Sequence, residues 1–564
     1  MGTLDWVVIG IFFLALIGII VWVVKQKQND SADYFLGGRD ATWLAIGASI
    51  FASNIGSEHL IGLAGAGASS GMAMAHWEIQ GWMILILGWV FVPFYSRSMV
   101  YTMPEFLERR YNPQSRTILS VISLISYVLT KVAVTVYAGG LVFQQVFGIK
   151  ELWGIDFFWI AAIGLVVLTA LYTIFGGMKS VLYTSVLQTP ILLLGSLIIL
   201  VLGFKELGGW DEMMSICSAV TVNEYGDTMT QLIRDNNDPN FPWLGALVGS
   251  AIIGFWYWCT DQFIVQRVLS GKNEKEARRG TIFGAYLKLL PVFLFLIPGM
   301  IAFALHQKYI GAGGEGFLPL LANGTANADA AFPTLVAKLL PAGVKGLVVC
   351  GILAALMSSL ASLFNSSAML FTIDFYKRFK PETPEKKLVA IGQIATVVIV
   401  ILGILWIPIM RSVGDVLYTY LQDVQSVLAP GIAAAFLLGI CWKRTSAKGG
   451  MWGLIAGMII GLTRLGAKVY YSNTAITDSS MFKYLFYDLN WLFFCGWMFL
   501  FCIIVVIAVS LMTEAPSAEK IQGLVFGTST PEQKAATRAS WNHWDIIHTV
   551  IILAITAAFY WYFW

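Results

Sequence analysis

Long apolar runs are the feature of this sequence that most restricts how the chain can fold. Fourteen segments of about 20 residues or more are apolar enough to cross a bilayer. They are too long and too uniformly apolar for the alternating strands of a membrane barrel, so we expect helices. The sequence predicts an all-α polytopic membrane protein with about 14 transmembrane helices, near 4–24, 42–68, 76–96, 117–147, 154–175, 181–204, 242–263, 281–305, 346–375, 388–409, 415–441, 450–467, 484–512 and 544–563.

The basic residues predict how the chain is oriented in the membrane. No basic residue precedes the first apolar run, whereas Lys25 and Lys27 follow it, which predicts an external N-terminus. Fourteen spans then place the C-terminus outside as well. Basic residues such as Arg109, Arg110 and Arg278 fall in loops predicted to be cytoplasmic. The net charge of +3 is therefore explained by membrane orientation and not by nucleic-acid binding. We expect a multi-pass plasma-membrane protein, which in a bacterium means the inner membrane.

Composition and motifs argue against an enzyme. The chain is 57% hydrophobic and only 12% charged, and no soluble catalytic or regulatory domain is evident. It contains no HExxH motif, no GxSxG elbow and no P-loop. The six cysteines include no CxxC pair, so we expect neither a disulfide framework nor a cysteine metal site. We expect no organic cofactor.

Two of the predicted spans are unusually rich in glycine and polar residues. They are 42–68 and 242–263, and they lie five spans apart. Interrupted helices in corresponding halves of a chain are typical of transporters built from two inverted repeats, because the break exposes backbone groups that can bind a solute or ion. The alternative is that glycine only allows close helix packing.

Seven blocks of sequence resemble the sodium/solute symporter family, most closely its sodium–glucose branch. They are "FASNIGSEHLIGLAGAGASSG", "YTMPEFLERRY", "YTIFGGMKS", "WYWCTDQFIVQRVLS", "LKLLPVFLFLIPGM", "AALMSSLASLFNSSAMLFTIDFY" and "APGIAAAFLLGICWKR". The resemblance implies a LeuT-like core of two inverted five-helix repeats with discontinuous helices. The implied division is a peripheral first helix in 1–30, a first repeat in 42–204, an external loop at 205–241, a second repeat in 242–467 with an external loop at 306–345, and two peripheral helices in 484–564 joined by a cytoplasmic linker at 513–543.

A sodium site is predicted between spans two and nine. Ala355, Ser358 and Ser359 are spaced i, i+3 and i+4, so one helix face could present a carbonyl and two hydroxyl oxygens to a hard cation. The two serines could instead bond to their own helix or serve close packing. The family resemblance implies sodium ligation and adds the backbone carbonyls of Ala52 and Ile55.

Four polar residues on four different spans are candidates for sugar binding: His59, Glu78, Lys288 and Gln422. Ionisable groups inside spans are costly and usually functional. An imidazole, a carboxylate, an ammonium and an amide together can satisfy a ring of hydroxyls, and the resemblance places these positions around a hexose. The alternatives are a packing hydrogen bond for His59 and a structural ion pair for Glu78 with Lys288.

Aromatic gates are implied by the resemblance alone. Tyr257 matches an inner gate that stacks on the sugar ring, and Trp77 and Tyr418 match gate positions on the outer side. Leu63 is a further gate position. Without the resemblance, aromatic residues in spans would be read as core or lipid-facing. Glu58, which adjoins His59, receives no role.

The expected function is sodium-coupled symport of a neutral hexose by alternating access. Ser185 stands where many relatives have Asp, which favours one sodium ion. Gly81 and Gly254 stand where the family's bacterial galactose carrier has sugar-contacting Ser and Asn, so the identity of the hexose stays open. Symport of myo-inositol or another small solute, or a sugar sensor that does not transport, are the alternatives. The sequence also leaves open whether an accessory protein binds.

Overall fold

The computed structural model describes residues 2–26, 30–56, 58–321, 324–411, 417–472 and 480–564, with the side chains in these ranges except at 129–130, 145, 409–411, 417–421 and 472. This part of the chain is almost entirely helical. The first half contains α1 (Thr3–Val24), α2 (Ser31–Leu36), α3 (Trp43–Asn54), α4 (Ala64–Ser70), α5 (Ala75–Glu78), α6 (Gly81–Ile86), α7 (Val92–Ser98), α8 (Met103–Arg110), α9 (Pro113–Ser126), α10 (Ala133–Phe147), α11 (Phe157–Leu207), α12 (Trp210–Ser218), α13 (Trp243–Gly254) and α14 (Gln262–Leu269).

The second half continues in the same way. It contains α15 (Glu274–Lys288), α16 (Ile297–Gly311), α17 (Ala331–Leu339), α18 (Val344–Met369), α19 (Lys377–Phe379), α20 (Glu385–Arg411), α21 (Leu417–Cys441), α22 (Ala447–Ser472), α23 (Met481–Lys483), α24 (Trp491–Met512), α25 (Ala518–Ile521), α26 (Pro531–Ala539) and α27 (His543–Tyr562). Two short strands, β1 (Glu151–Leu152) and β2 (Ile155–Asp156), pair antiparallel.

Wider π-helical and tighter 3-10 turns interrupt or join these helices. The π-helical segments are Glu58–Leu63, Leu87–Phe91, Tyr127–Val132, Phe255–Thr260, Val292–Leu296, Leu370–Tyr376 and Tyr484–Asp488, and the 3-10 segments are Gly37–Arg39, Gly71–Met74 and Ala328–Ala330. Single π-helical turns inside α-helices are frequent at functional sites. Two of them, Glu58–Leu63 and Phe255–Thr260, lie in the glycine-rich spans singled out by sequence.

The helices account for all fourteen predicted apolar segments. Within the described residues, eleven helical runs are long and apolar enough to cross a membrane, and Trp43–Asn54 and Ala133–Gln144 are shorter apolar helices. Helix α11 is 51 residues long and covers two predicted segments. It is kinked between them at Gly177 (φ 53°, ψ −150°). A Cβ atom at position 177 would lie 2.4 Å from the carbonyl oxygen of Tyr34, so only glycine allows this kink and this close contact.

The core is centred on α18. In the apolar 18-residue stretch of the helical run that contains α18, 89% of the residues are buried inside the protein. The corresponding share is 22% for α1 and for α27. The long helix α11 and the broken span that begins with α3 pack against α18, and α15 packs against α3. The first and last helices are therefore peripheral, and the broken spans are enclosed by other helices.

The segment between α12 and α13 covers one end of the broken span. The amide of Met72 donates to the carbonyl of Met229 (2.8 Å), and Arg234 donates to the carbonyl of Ser70. Gly71 allows this approach, because its φ is +68° and a Cβ atom there would lie 2.0 Å from the Met229 oxygen. This segment thus holds the end of the helix that carries the candidate site.

Candidate functional site

The candidate site begins at a break in the helix that starts with α3. Helix α3 ends at Asn54, and Ile55 is extended (φ −83°, ψ 105°) before helical structure resumes at Glu58. The amide of His59 bonds to the carbonyl of Gly56 (3.1 Å) and not to that of Ile55. Among the described residues, none donates a backbone hydrogen bond to the carbonyl oxygens of Ala52 or Ile55. Both oxygens remain able to bind a cation.

A second break lies in the other glycine-rich span. The π-helical turn Phe255–Thr260 ends at Asp261, whose backbone is extended (φ −76°, ψ 127°), and α14 begins at the next residue. Sequence reasoning found both breaks through their glycine and polar content. It did not find their exact positions.

The predicted sodium residues are buried at or next to two helices that pack together, α3 and α18. Ala355, Ser358 and Ser359 are all at most 2% exposed, as are Ala52 and Ile55. The hydroxyls of Ser53 and Ser362, one on each helix, are 2.6 Å apart and fix the contact between the two helices. Two free carbonyls and two buried hydroxyls are hard oxygen donors, the ligand chemistry that Na⁺ requires.

Ser185 lies beside these residues. Its hydroxyl donates to the carbonyl of Val181 (2.6 Å) and lies 3.3 Å from the hydroxyl of Ser358 and 3.5 Å from that of Ser49. A neutral hydroxyl bound to its own helix therefore lies beside Ser358.

A cavity of about 60 Å³ adjoins the sodium residues. Its walls include Ser359 and the predicted residues His59, Glu78, Lys288, Gln422, Tyr257 and Trp77. A water molecule needs about 10–15 Å³ of such a volume, so the cavity has room for a few waters. A hexose is larger, so the cavity must widen for sugar to enter.

Three charged or ionisable groups form a cluster at the cavity wall. The ammonium of Lys288 donates to Oε2 of Glu78 (2.6 Å), and Nε2 of His59 lies 3.3 Å from the same oxygen. The side chains of Glu78 and Lys288 are 1% and 4% exposed. Asn54 Nδ2 lies 3.4 Å from His59 Nε2 and links the cluster to the end of α3. The ion pair considered from sequence is thus present, and it faces the cavity.

Three polar atoms at the cavity have no hydrogen-bond partner among the described residues. They are the donor Nε1 of Trp77 and the acceptors Oε1 of Gln422 and Oε2 of Glu58. Leaving a buried polar atom without a partner costs about 1–3 kcal/mol, so each atom gains by meeting a ligand group. One donor and two acceptors suit hydroxyl groups, which both donate and accept.

Of the predicted gate residues, Tyr257 and Trp77 line the cavity. The ring of Tyr257 stands edge-on to that of Trp258 with centroids 4.9 Å apart, and Trp77 stacks on Trp491 at 5.6 Å. Leu63 is fully buried but does not line the cavity. Tyr418 belongs to α21, and its side chain lies outside the described part of the chain.

Comparisons with known proteins identify the family. The model of the sodium:solute symporter family matches residues 34–457. Human sodium/myo-inositol cotransporter 2 is 37% identical over 538 residues, which cover 93% of this chain and 79% of the relative. Sodium/glucose cotransporter 1 of Ovis aries is 37% identical and covers 90% of this chain and 79% of the relative, and sodium/glucose cotransporter 4 of Mus musculus is 36% identical, with 93% and 78% covered.

The chain belongs to the sodium:solute symporter family. It is a sodium-coupled transporter of a small solute, with Na⁺ as coupling ion, and not an enzyme. The structure of a Na⁺-coupled sialic acid symporter has the same fold, with a TM-score of 0.72 and 22% identity over 92% of this chain and 99% of that one. The predicted all-α, LeuT-like fold is confirmed. The repeat boundaries stay a prediction.

Several residues around the symporter's cavity were missed or left without a role in the sequence analysis. Gln80 donates to the carbonyl of Ser250 (2.8 Å), and its amide fills the space beside Gly254, where a Cβ atom would lie 2.4 Å from Oε1 of Gln80. Gln425 also lines the cavity, and Glu58, which received no role from sequence, contributes an acceptor oxygen. No spacing signal marks the two glutamines, because their contacts come from distant segments.

The ring of Tyr257 lies next to an ion pair between Lys131 and Asp261. The ammonium of Lys131 donates to Oδ2 of Asp261 (2.6 Å), lies 4.8 Å from the centre of the Tyr257 ring and is itself at the cavity wall. Tyr127 donates to the other oxygen of Asp261, and its own oxygen accepts from the amide of Phe263 (3.0 Å). A lysine within a predicted span was a signal that sequence reasoning could have used.

Proposed function

We propose that this symporter carries a neutral sugar of the glucose or galactose type together with Na⁺, by alternating access. The observation that supports this most is the set of unpartnered atoms at the cavity, Trp77 Nε1, Gln422 Oε1 and Glu58 Oε2. The Glu78–Lys288 pair adds charged groups of both signs, and hydrogen bonds to charged groups are the stronger ones.

The same charges argue against an anionic solute. Glu58 and Glu78 both line the cavity, and Lys288 is already paired with Glu78. A carboxylate on the solute would lie close to like charge and would be disfavoured. A ring of neutral hydroxyls meets no such repulsion, and the ring of Tyr257 offers an apolar face for its C–H groups.

Sodium is proposed to bind Ala52, Ile55, Ala355, Ser358 and Ser359, with one ion per cycle because Ser185 carries no charge. One ion moves one charge inward with a neutral sugar. A potential of 100 mV supplies about 2.3 kcal/mol per charge, and a tenfold sodium gradient about 1.4 kcal/mol more. These together support a sugar gradient of several hundredfold. We further infer a plasma-membrane location with both termini outside, which the distribution of Lys and Arg supports.

Symport of myo-inositol is the second candidate. Cotransporters of that name are 36–37% identical to this chain, as similar as the glucose cotransporters. Inositol is also a neutral ring of hydroxyls, so the cavity chemistry suits both solutes.

Uptake into proteoliposomes tests the proposal. The purified symporter is reconstituted, and uptake of labelled glucose, galactose, myo-inositol and sialic acid is measured under sodium, potassium or proton gradients. We expect a hexose to accumulate only with inward sodium. Selective accumulation of myo-inositol would assign the second function, and uptake of sialic acid alone would refute the charge argument.

The stoichiometry is measured in the same vesicles. The membrane potential at which a fixed sugar gradient stops net flux gives the number of charges moved for each sugar. We expect one charge, and two would show that Ser185 does not prevent a second sodium ion.

A further inference from the structure

A second, larger cavity lies outside the transport site, at one face of the membrane. Its volume is about 610 Å³, and it is bordered by the first residues of α3 and α27 and by the middle of α15. Trp43 is the first residue of α3, Arg279 follows the start of α15 by five residues, and Trp544 is the second residue of α27. The spans predicted from sequence at 42–68, 281–305 and 544–563 all begin beside the cavity, so we place it at the level where these helices leave the bilayer.

The polar side of the cavity carries one available cation. Arg279 Nε donates to Oδ1 of Asp545 (3.0 Å), whereas its two Nη atoms bond to no described residue, and the side chain is 30% exposed. The other oxygen of Asp545 accepts from the amide of Asn542 (2.9 Å). His548 Nδ1 and the hydroxyl of Tyr286 are 3.0 Å apart. The carboxylate is thus engaged, and the end of the guanidinium group is free to hold an anion in a two-pronged contact.

The remaining walls are aromatic and open to the bilayer. The side chains of Trp43 and Trp544 are 41% and 56% exposed, and the Trp43 ring stands edge-on to Phe283 at 5.4 Å. Tryptophan is enriched where the headgroup region meets the hydrocarbon core. A free inorganic anion would use only Arg279 and would leave these rings unused.

We propose that this cavity binds a glycerophospholipid of the adjacent leaflet, with Arg279 holding the phosphodiester and the Trp43, Phe283 and Trp544 rings packing against the glycerol region and upper acyl chains. The lipid would contact two of the helices that lead to proposed transport residues. Helix α3 leads to Ala52 and Ile55, and α15 ends at Lys288. The site is independent of which solute is carried.

Native mass spectrometry of the full chain tests this. The protein is reconstituted in vesicles of phosphatidylethanolamine and phosphatidylglycerol and extracted into detergent, and the retained phospholipid is counted. Arg279→Gln keeps the size of the side chain and removes its charge, and we expect retention to fall about tenfold, because hydrogen bonds to charged groups are among the stronger ones. Arg279→Lys keeps the charge but loses the planar guanidinium group that makes two-pronged contacts. This variant should therefore retain an intermediate amount of phospholipid.

Lys377→Gln is the matched control, because it removes a cation paired with Glu385 (3.2 Å) away from the cavity, and retention should equal that of the parent. Trp544→Ala leaves the Arg279–Asp545 pair in place and should lower retention severalfold. Unchanged sodium-driven uptake and an unchanged thermal midpoint show that each variant is folded.

Three results would overturn the proposal. The first is that Arg279→Gln retains as much phospholipid as the parent. If Arg279→Gln does not fold, the same result for Trp544→Ala would overturn the proposal. The second is equal retention of diacylglycerol, which has no phosphate. The third is a thermal shift caused by inorganic phosphate in lipid-free detergent, when no phospholipid is retained. If this shift is lost in Arg279→Gln, the cavity would be assigned to a free anion.

Discussion

Replacing Lys288 by methionine should destabilise the symporter strongly, because it leaves the Glu78 carboxylate buried without its cation. The two charged atoms are 2.6 Å apart, and the side chains are only 4% and 1% exposed. After the substitution the His59 ring, 3.3 Å away, remains beside Glu78. Removing one partner of a buried ion pair costs about 3–5 kcal/mol. Glu78→Gln should be destabilising as well, because it leaves the ammonium unpaired.

The double variant Glu78→Gln with Lys288→Met separates the structural role from the sugar-binding role. It removes both charges, and uncharged replacements of a buried pair are often neutral or stabilising. We therefore expect the double variant to recover most of the stability that each single variant loses. Sugar affinity should stay low in all three variants, because one or both of the charged groups proposed to bind the sugar are gone.

Stability is measured as the thermal midpoint from intrinsic tryptophan fluorescence, and affinity from the sugar concentration dependence of sodium-driven uptake. The coupling between the two sites follows from the double-mutant cycle. Lys308→Met is the matched control, because Lys308 pairs with Glu212 at 3.5 Å while both side chains are more than 40% exposed. Exposed pairs contribute about 0–1 kcal/mol, so the midpoint should barely move.

Two results would refute the reasoning. Single variants as stable as the parent would mean that the pair is not a buried ion pair in the folded protein. A double variant with parental sugar affinity would mean that Glu78 and Lys288 only hold helices together and that the sugar site lies elsewhere.

Three further predictions concern sodium, pH and the contact of Gly71 with Met229. Ser359→Ala should raise the sodium concentration for half-maximal uptake about tenfold, because it removes one hard oxygen ligand, and an unchanged value would exclude Ser359 as a ligand. Burial raises the pKa of Asp329, in the segment before α17, from its usual value of 3.8 to about 6. The folded state then holds the extra proton, so stability falls as pH rises through this window. The thermal midpoint of Asp329→Asn relative to the parent should therefore increase from about pH 4 to 7. Gly71→Ala should destabilise the symporter by forcing a Cβ atom against the Met229 carbonyl. Gly226 has φ +86° and open space around it, so Gly226→Ala should show only the smaller cost of positive φ. Equal thermal midpoints of the two variants would contradict this.

Much of the fold could be predicted because each span carries its own signal. A segment of about 20 apolar residues specifies a membrane helix almost without regard to its neighbours. The break near Ile55 was also visible locally, since glycine and polar residues weaken a helix that lipid would otherwise enforce. The i, i+3, i+4 spacing of Ala355, Ser358 and Ser359 fixed their common face before any packing was known.

The rest of the cavity depended on contacts between distant segments. Gln80 enters the wall only because Gly254, far away in the sequence, leaves room for its amide. The stacking of Trp77 on Trp491 joins the first repeat predicted from sequence to a peripheral helix. Such pairs have no period and no motif, so a single sequence gives no means of predicting them. Lys131 is different, because a lysine inside a span is itself a warning that a partner such as Asp261 must exist.

The broken helix offers a physical route by which sodium could govern sugar binding. Ala52 and Ile55, the proposed carbonyl ligands, flank Asn54, and Asn54 lies 3.4 Å from the His59 ring that faces the sugar cavity. Ser359, on the opposite helix, belongs to both the proposed sodium set and the cavity wall. An ion that fixes the two carbonyls against α18 would therefore also restrict where His59 and Ser359 can lie. Coupling requires that sodium bind one state of the protein better than the other. A break shared by both sites meets this requirement, because any motion that separates α3 from α18 removes sodium ligands and changes the sugar cavity at the same time.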